Sequence, residues 1–337
     1  MKRVTPTVLI VALAFTAPRA QEAAKVEPLH FHHIHLNSTN PKAAAAYYPK
    51  PFALSATAAT LNGFEAVKTG NVYVLFTKVA ATPQNELTGP QTSVWHFGWN
   101  TPDSRKYDEN FRKMGLTIAQ MWDAADGELV DLSSDVLPAP AGVPGFPTQE
   151  QILEAREKGL KPSRQGGFGY LRGPDGAMIE NAQAGTTERF NHVHMYHEHP
   201  RCAMEWYVTH LGAKMPAGRG GAAAPAEPAD DCHTKTYAPP TWPSFAKTGF
   251  VRDPAGGVNF DDISISIRPW PGGGLVSTRG KIYDHWALST ANLDATVARL
   301  KSENVRFLEE IHPWGGSRAA MIEGPDRIAI ELVEVKP

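Results

Sequence analysis

Two short stretches, Phe31-His32-His33-Ile34-His35-Leu36 and Phe190-Asn191-His192-Val193-His194-Met195, share one pattern and open the two halves of the chain. In each stretch, histidines alternate with apolar side chains at the two-residue period of a β-strand. Side chains two residues apart on a strand point to the same face. Each stretch therefore predicts a strand that presents two histidines on one face.

Two further pairs of stretches recur in the same order along the chain. Val94-Trp95-His96-Phe97-Gly98-Trp99 corresponds to Tyr283-Asp284-His285-Trp286-Ala287-Leu288, and residues 173–180 correspond to residues 324–331. The last pair begins with Gly-Pro-Asp, a turn sequence, and runs into an apolar strand that carries a glutamate. This internal repeat predicts four modules, each with a strand, a helix and a short antiparallel set of strands.

The repeat divides the chain into two sequential module pairs, residues 29–187 and residues 188–337. Two segments interrupt it: Ser133 to Gln165, which is rich in proline and has a helical piece from Gln149 to Lys158, and Pro216 to Pro243, which is rich in Ala, Gly and Pro. Segments of this length are either functional loops near a site or mobile surface, and the sequence leaves both readings open.

The first twenty residues have the layout of a secretory signal peptide. Lys2 and Arg3 precede a short apolar run from Val8 to Phe15, and small residues follow around Ala17 to Ala20. We therefore expect residues 1–20 to be a signal peptide and residues 21–28 a linker, which implies a periplasmic or secreted protein. A frayed or buried N-terminal helix is the alternative. The apolar run is too short to cross a bilayer, so we expect no membrane anchor.

Composition narrows the classes of partner. The chain has 337 residues, of which 42% are hydrophobic and 20% charged, with a formal net charge of -2. This balance gives no basic footprint for nucleic acid and no strong field for a charged partner surface. The two cysteines, Cys202 and Cys232, are too few for a cysteine zinc site, and they are either bonded to each other or free.

The repeated histidines and glutamates are the candidate metal ligands. Two imidazoles and one carboxylate on one face suit Fe(II), Mn(II) or similar ions and leave positions open for substrate. Taken half by half, the first set is His33, His96 and Glu180, and the second set is His192, His285 and Glu331. The alternative is that these are separate strand histidines and surface glutamates.

Other polar residues are candidates for supporting roles. His35 and His194 share the faces of His33 and His192, so they are either the true ligands, partners of the ligands or substrate contacts. His32 is expected to face the other way. Three residues are candidates for a general acid or base, and Tyr283 is expected to share the face of His285. These three are His233, Tyr283 and His312.

The ordered motifs resemble the vicinal oxygen chelate superfamily, which includes glyoxalases, bleomycin-resistance proteins and extradiol dioxygenases. The resemblance covers nearly all of the chain after the leader, and its most telling pieces are His33 to Leu36, Trp206 to Gly212, Gly173 to Glu180 and Gly324 to Glu331. It implies an α+β fold in which four βαβββ modules pair into two open cup-shaped domains, each around a divalent metal. The family's two histidines and its glutamate fall on the two sets given above.

The resemblance also implies a function. Glyoxalase-type members add a fourth ligand from the end of the first module, where Val72 to Phe76 offers none and the second half offers Asp261 or Asp262. A three-ligand site resembles the extradiol dioxygenases, although those enzymes usually keep one triad and a tyrosine near the position of Met321. We expect a metal-dependent enzyme acting on a vicinal-oxygen substrate, with Fe²⁺ favoured over Mn²⁺, Zn²⁺ or Ni²⁺ and ring-cleaving dioxygenation as the specific reaction. A glyoxalase-like lyase or isomerase and a non-catalytic binding protein are the alternatives.

Overall fold

The computed structural model describes residues 27–85, 90–120, 131–133, 149–160, 167–216, 256–270 and 274–336. The predicted signal peptide, most of the linker after it, Cys232 and His233 lie outside these ranges. Cys202 is half-buried. No helix in the described ranges is both long and apolar enough to cross a membrane.

The described residues form strands and helices in the order expected of a repeat. In chain order they are β1 His30–Ser38, α1 Pro41–Tyr47, β2 Ala56–Leu61, β3 Phe64–Thr69, β4 Val72–Lys78, β5 Val94–Thr101, α2 Ser104–Lys113, α3 Gln149–Glu157, β6 Phe168–Arg172, β7 Met178–Gln183, β8 Arg189–His197, α4 Pro200–Leu211, β9 Gly256–Phe260, β10 Ile263–Pro269, β11 Tyr283–Thr290, α5 Leu293–Ser302, β12 Phe307–Trp314, β13 Ser317–Glu323 and β14 Ala329–Glu334.

Short polar side chains begin the module helices. The side chains of Asn40, Asp103 and Asn292 each accept a hydrogen bond from the backbone N–H three residues on, which satisfies a donor that the first turn of a helix leaves free. The predicted helical piece in the first insertion is α3, and its Ile152 packs in a buried cluster with Trp95 and Tyr170. The described part of that insertion therefore belongs to the packed structure.

Two open sheets make up the α+β fold, which confirms the predicted class. Sheet 1 has the strand order β12-β13-β14-β11-β1-β4-β3-β2, and sheet 2 has the order β6-β7-β5-β8-β10-β9. The first and fourth modules have the full βαβββ pattern. Among the described residues, the second and third modules each contribute three strands.

The modules pair differently from the sequential pairs predicted above. The first module joins the fourth in sheet 1 through antiparallel β1 and β11, and the second joins the third in sheet 2 through antiparallel β5 and β8. The connection between β7 and β8, residues 184–188, is short and keeps the middle modules together, because short connections join neighbouring elements. Two longer connections, of which residues 79–85, 90–93, 270 and 274–282 are described, join β4 of sheet 1 to β5 of sheet 2 and β10 of sheet 2 to β11 of sheet 1.

These two longer connections run beside each other. The backbone N–H of Val276 donates to the Gln91 carbonyl oxygen at 3.0 Å, and that of Ile282 donates to the Gln84 carbonyl oxygen at 2.9 Å. Their polar backbone groups are thus satisfied where the chain changes sheets. These two hydrogen bonds join the two connecting segments to each other.

The largest hydrophobic cluster of the described residues, called the shared core below, lies between the helix-bearing faces of the two sheets. Phe31 and Trp286 of sheet 1 lie in one buried cluster with Phe97 and Phe190 of sheet 2, and the Phe31 and Phe190 rings stack with centroids 6.0 Å apart. The histidines of the repeated motifs lie on the opposite face of each sheet. Burial of this shared core is the main apolar contribution to holding the sheets together.

The two Gly-Pro-Asp turns also link the sheets. Asp175, in sheet 2's second module, accepts hydrogen bonds from Ser38 and Thr39 at the start of α1, and Asp326, in the fourth module, accepts from His197 and Glu198 before α4. Both aspartates have positive φ, 57° and 54°. Asp tolerates this left-handed conformation better than most residues, which explains its recurrence at the turn.

Tyr283 lies in the shared core, so the prediction that it shares the face of His285 is wrong. Asp284 is an extra residue in β11, because His35 pairs with His285 whereas Leu36 pairs with Tyr283. This β-bulge reverses the alternation at that point. The Tyr283 hydroxyl donates to the Met178 carbonyl oxygen at 2.9 Å and accepts from the Met178 N–H at 2.6 Å.

Replacing Tyr283→Phe should lower the free energy of unfolding of the metal-free chain by about 1–3 kcal/mol, because the Met178 backbone groups lose a buried partner. Urea unfolding measures this. The control is Tyr47→Phe, whose hydroxyl makes a long 3.4 Å contact to the Arg172 carbonyl oxygen and should matter much less. If the two variants lost equal free energy of unfolding, the hydrogen bonds between Tyr283 of sheet 1 and Met178 of sheet 2 would not contribute as we expect.

Candidate metal centres

A β-bulge precedes a histidine on each of the four central strands. The register shifts leave one extra residue before His33 on β1, His96 on β5, His192 on β8 and His285 on β11. Bulges re-aim the neighbouring side chains and are frequent beside functional sites. Here they turn histidines of paired strands toward one point on the face opposite the shared core.

Site 1 lies on sheet 1 and consists of His33, His35, His285 and Glu331. His35 and His285 are directly opposite each other on β1 and β11. The Glu331 Oε2 atom is 3.3 Å from His33 Nε2 and 3.6 Å from His285 Nε2. All four residues are buried.

Four atoms of site 1 have no hydrogen-bond partner although they are buried: His33 Nε2, His35 Nδ1, His285 Nε2 and Glu331 Oε2. Unsatisfied buried polar atoms are costly, and several with lone pairs aimed at one place suit a cation. Three imidazoles and one carboxylate are a ligand set for Fe²⁺, Mn²⁺, Zn²⁺ or Ni²⁺. The residues present therefore fit a divalent metal.

Site 2 lies on sheet 2 and consists of His96, Glu180, His192 and His194. The Glu180 Oε2 atom is 2.9 Å from both His96 Nε2 and His192 Nε2 and 4.0 Å from His194 Nδ1. Ligand atoms of all four residues lie within 4.8 Å of one another. His194 Nδ1 has no hydrogen-bond partner. This set matches site 1 residue for residue across the internal repeat.

The second nitrogen of several of these histidines is held by a neighbour. Nδ1 of His33 is 2.8 Å from His32 Nδ1, and Nδ1 of His192 is 2.7 Å from the Asn191 side-chain oxygen. Nδ1 of His285 is 2.7 Å from the Asp284 carboxylate. A partner on Nδ1 fixes the tautomer that leaves Nε2 free for a metal.

The other pair of histidines uses the opposite nitrogen. His35 Nε2 is 2.7 Å from the Thr77 hydroxyl, so its Nδ1 faces the site. The fourth candidate metal-ligand atom of site 1 is therefore Nδ1 of His35. Strand β4 supplies no ligand, and its Thr77 hydroxyl instead orients the His35 ring. Asp261 and Asp262, the other candidates for a fourth ligand, pair instead with His30 and Arg189 and are not part of either site.

The protonation states in site 1 suit a metal, with one exception. Burial lowers the pKa of His33 and His35, which keeps both neutral. Burial opposes ionisation of Glu331, but its contacts with His285 and His33 hold the pKa of the carboxylate below its usual value. Burial alone would lower the pKa of His285, yet its contacts with the Asp284 and Glu331 carboxylates raise it to about 9.

The protonation states in site 2 differ at the equivalent strand position. Burial lowers the pKa of His96 to about 4, only partly offset by Glu180, and burial also lowers the pKa of His194. Contacts with His192 and His96 hold the pKa of the Glu180 carboxylate well below its usual value, against the effect of burial. His96 and His285 thus shift in opposite directions because Asp284 has no acidic counterpart beside His96.

A cavity of about 640 Å³ opens onto site 1. His35, His285 and Glu331 line it, together with the aromatic residues Phe64 and Trp314. His35 and Phe64 have ring centroids 4.9 Å apart in an edge-to-face arrangement. The cavity is large enough for a small planar molecule beside the metal ligands.

The predicted ligands are all at the two sites, but the sets divide differently. His33 belongs with His285 and Glu331, whereas His96 and Glu180 belong with His192. The predicted sets, His33 with His96 and Glu180, and His192 with His285 and Glu331, are wrong because the modules pair first with fourth and second with third. Each site therefore draws on both halves of the sequence.

The predicted acid–base candidates have different outcomes. Tyr283 is in the shared core, and His233 lies outside the described residues. His312 lines the site 1 cavity. Its Nδ1 is 2.9 Å from the Glu310 carbonyl oxygen, so Nδ1 carries the hydrogen and donates, which leaves Nε2 able to accept a proton.

Sequence reasoning missed four residues that shape the sites. Asp284, Asn191 and His32 each stand directly before a candidate ligand, and only the bulges bring both side chains to one face; His32 was expected to face away. Gly98 was also missed. A Cβ at Gly98 would lie 2.6 Å from the Glu180 carbonyl oxygen and from Cε1 of the His192 ring, so only glycine fits there.

Comparison with known proteins supports this interpretation of the fold. Residues 189–332 match the sequence model of the Glyoxalase/Bleomycin resistance protein/Dioxygenase superfamily. No curated protein matches the chain.

Two solved structures are similar along most of their length. Glyoxalase I from Zea mays is 16% identical, with a TM-score of 0.53, and the match covers 91% of this chain and 93% of that one. A "putative dioxygenase" from Bacillus subtilis is 11% identical, with a TM-score of 0.54, and the match covers 92% of this chain and 86% of that one. At such identities the likeness concerns the fold. The third and fourth modules thus match this superfamily in sequence, and the chain resembles both solved structures in fold along most of its length.

Proposed function

We propose that the protein is a metal-dependent enzyme that acts at site 1 on a small molecule with vicinal oxygens. The observation that carries this proposal is the set of four buried imidazole and carboxylate atoms without a hydrogen-bond partner, three of which belong to residues that line an open cavity. A bound divalent metal would polarise the substrate oxygens as a Lewis acid and, as Fe²⁺, could also bring O₂ to the substrate. Ring-cleaving dioxygenation is the specific reaction that we propose.

Residues of the chain would orient the substrate and handle its proton. The Phe64 and Trp314 rings offer an apolar wall for a planar ring, and Met321 lines the same cavity. His312 lines the same cavity, and its Nε2 would accept a proton from a substrate hydroxyl.

Other functions remain as outcomes of the same experiments. A glyoxalase-like lyase or isomerase would use His312 as its base without O₂. A non-catalytic binding protein of this fold would hold the ligand without turnover.

The leader-like residues 1–20 support the further proposal that the protein is exported to the periplasm or secreted. N-terminal sequencing of the protein from that compartment would test this.

The purified chain should bind about two divalent metals after anaerobic reconstitution with Fe²⁺ or Mn²⁺, because each site supplies four ligand atoms. Elemental analysis measures this. His285→Ala and His96→Ala should each remove one metal, and the control His210→Ala should remove none, since His210 pairs with Glu303 away from both sites. Absence of metal from the wild-type chain with Fe²⁺, Mn²⁺ and Zn²⁺ would refute the proposed enzyme.

Metal binding at site 1 should depend steeply on pH. The metal must displace the proton that His285 holds with a pKa of about 9, so the apparent affinity should fall about tenfold for each pH unit below that value. His96, with a pKa of about 4, has no proton to release between pH 6 and 8. Calorimetry on His96→Ala, which keeps site 1, and on His285→Ala, which keeps site 2, separates the two. The same slope in both chains would contradict the assigned protonation states.

The Fe²⁺-loaded chain should consume O₂ with at least one member of a catechol panel and release a ring-opened product. His312→Gln should lower kcat by about 10²–10⁴-fold while leaving the metal content unchanged, because it removes a base and no ligand. An oxygen electrode and product absorbance measure this. Turnover of a dicarbonyl–thiol adduct without O₂ would indicate the lyase instead, and binding without any turnover would indicate the binding protein.

A further inference from the structure

We propose that the two metal centres are unequal: site 1 holds its divalent ion tightly, site 2 holds its ion loosely, and the bulged residue before each ligand histidine sets the difference. This inference rests on the proposed function in one respect, namely that both sites bind metal. It adds which centre is filled when metal is scarce.

The bulge is a repeated device that brings a second side chain to each ligand histidine. Neighbours in a regular strand point to opposite faces, so the residue before a histidine could not normally contact its ring. The bulges remove that restriction. The four bulged residues are His32, Trp95, Asn191 and Asp284.

The four bulged residues differ in what they offer the imidazole. Asp284 gives His285 a carboxylate at 2.7 Å, and His32 and Asn191 give neutral partners. Trp95 contacts His96 ring to ring, with centroids 4.4 Å apart, and indole has no acceptor. Among the described residues, nothing forms a hydrogen bond with Nδ1 of His96. Only site 1 therefore has a ligand imidazole that is both oriented and made more electron-rich by an anion.

The surrounding charge points the same way. Asp284 adds a negative charge beside the Glu331 carboxylate. The Arg279 guanidinium, 3.3 Å from His285 Nδ1, offsets that charge only in part, because it is shared between the Asp284 and Glu309 carboxylates. At site 2 the positive charge of Arg268 acts on His96 and His194 and opposes any further positive charge there. A divalent ion is therefore attracted more strongly to site 1.

The Coulomb energy of a charge is proportional to its magnitude, so a dication gains about twice as much from the Asp284 carboxylate as a single positive charge would. With limiting metal, site 1 fills first, and site 2 fills only as the free metal concentration rises.

Single-site chains test this inference directly. His96→Ala keeps site 1 and His285→Ala keeps site 2, and Mn²⁺ titration by calorimetry at pH 8 gives a dissociation constant for each. We expect site 1 to bind about 10–100-fold more tightly, the range by which partners of metal ligands change affinity. Equal constants would overturn the inference but leave the proposed function intact. No binding in either chain or in the wild type would overturn the proposed function itself.

Two isosteric changes test the cause. Asp284→Asn in the His96→Ala chain should weaken Mn²⁺ binding at least tenfold, and Asn191→Asp in the His285→Ala chain should tighten it about tenfold, because a carboxylate then holds His192. Asp262→Asn, which changes an exposed aspartate paired with Arg189, is the control and should have no effect. Circular dichroism of the metal-free chains checks folding. If the two changes leave both affinities unaltered in folded chains, the bulged residues do not set the difference.

Discussion

Antiparallel pairing of β1 with β11 and of β5 with β8 is the constraint on which the sites depend. Each pairing places histidines from distant modules directly opposite one another, as with His35 and His285 or His96 and His194. The glutamate comes from the strand on the other side, since β14 lies beside β11 and β7 lies beside β5. If β1 and β11, or β5 and β8, were not paired, that site would lose its glutamate and one of its histidines.

The pairing is maintained by features remote from the metal ligands. The shared core buries the apolar faces of both sheets, and the Asp175 and Asp326 turns join each sheet to a helix start of the other. Rigid support of this kind matters because buried, unsatisfied donor atoms destabilise a metal-free fold. The free energy gained by burying the shared core offsets the cost of leaving these metal-binding atoms without hydrogen-bond partners.

Much of the fold could be predicted from the sequence, because repeated motifs report on local structure. The alternating histidines predicted strands, and the Gly-Pro-Asp turns predicted where strands carrying Glu180 and Glu331 begin. The choice of partner modules could not be predicted, since it depends on connections between sheets that carry no motif. The β-bulges could not be predicted either. One extra residue in a strand reverses the faces to which the following side chains point, so Tyr283 lies in the core and Asp284 contacts the ligand His285.

Each candidate metal centre draws its ligands from both halves of the chain. Anomalous diffraction from a crystal of the Mn²⁺-loaded protein tests it most directly. We expect a peak roughly 2.0–2.3 Å from ligand atoms of His33, His35, His285 and Glu331, and a second, weaker peak among His96, Glu180, His192 and His194. A peak that joins His33 to His96 and Glu180, or no peak at site 1, would contradict it.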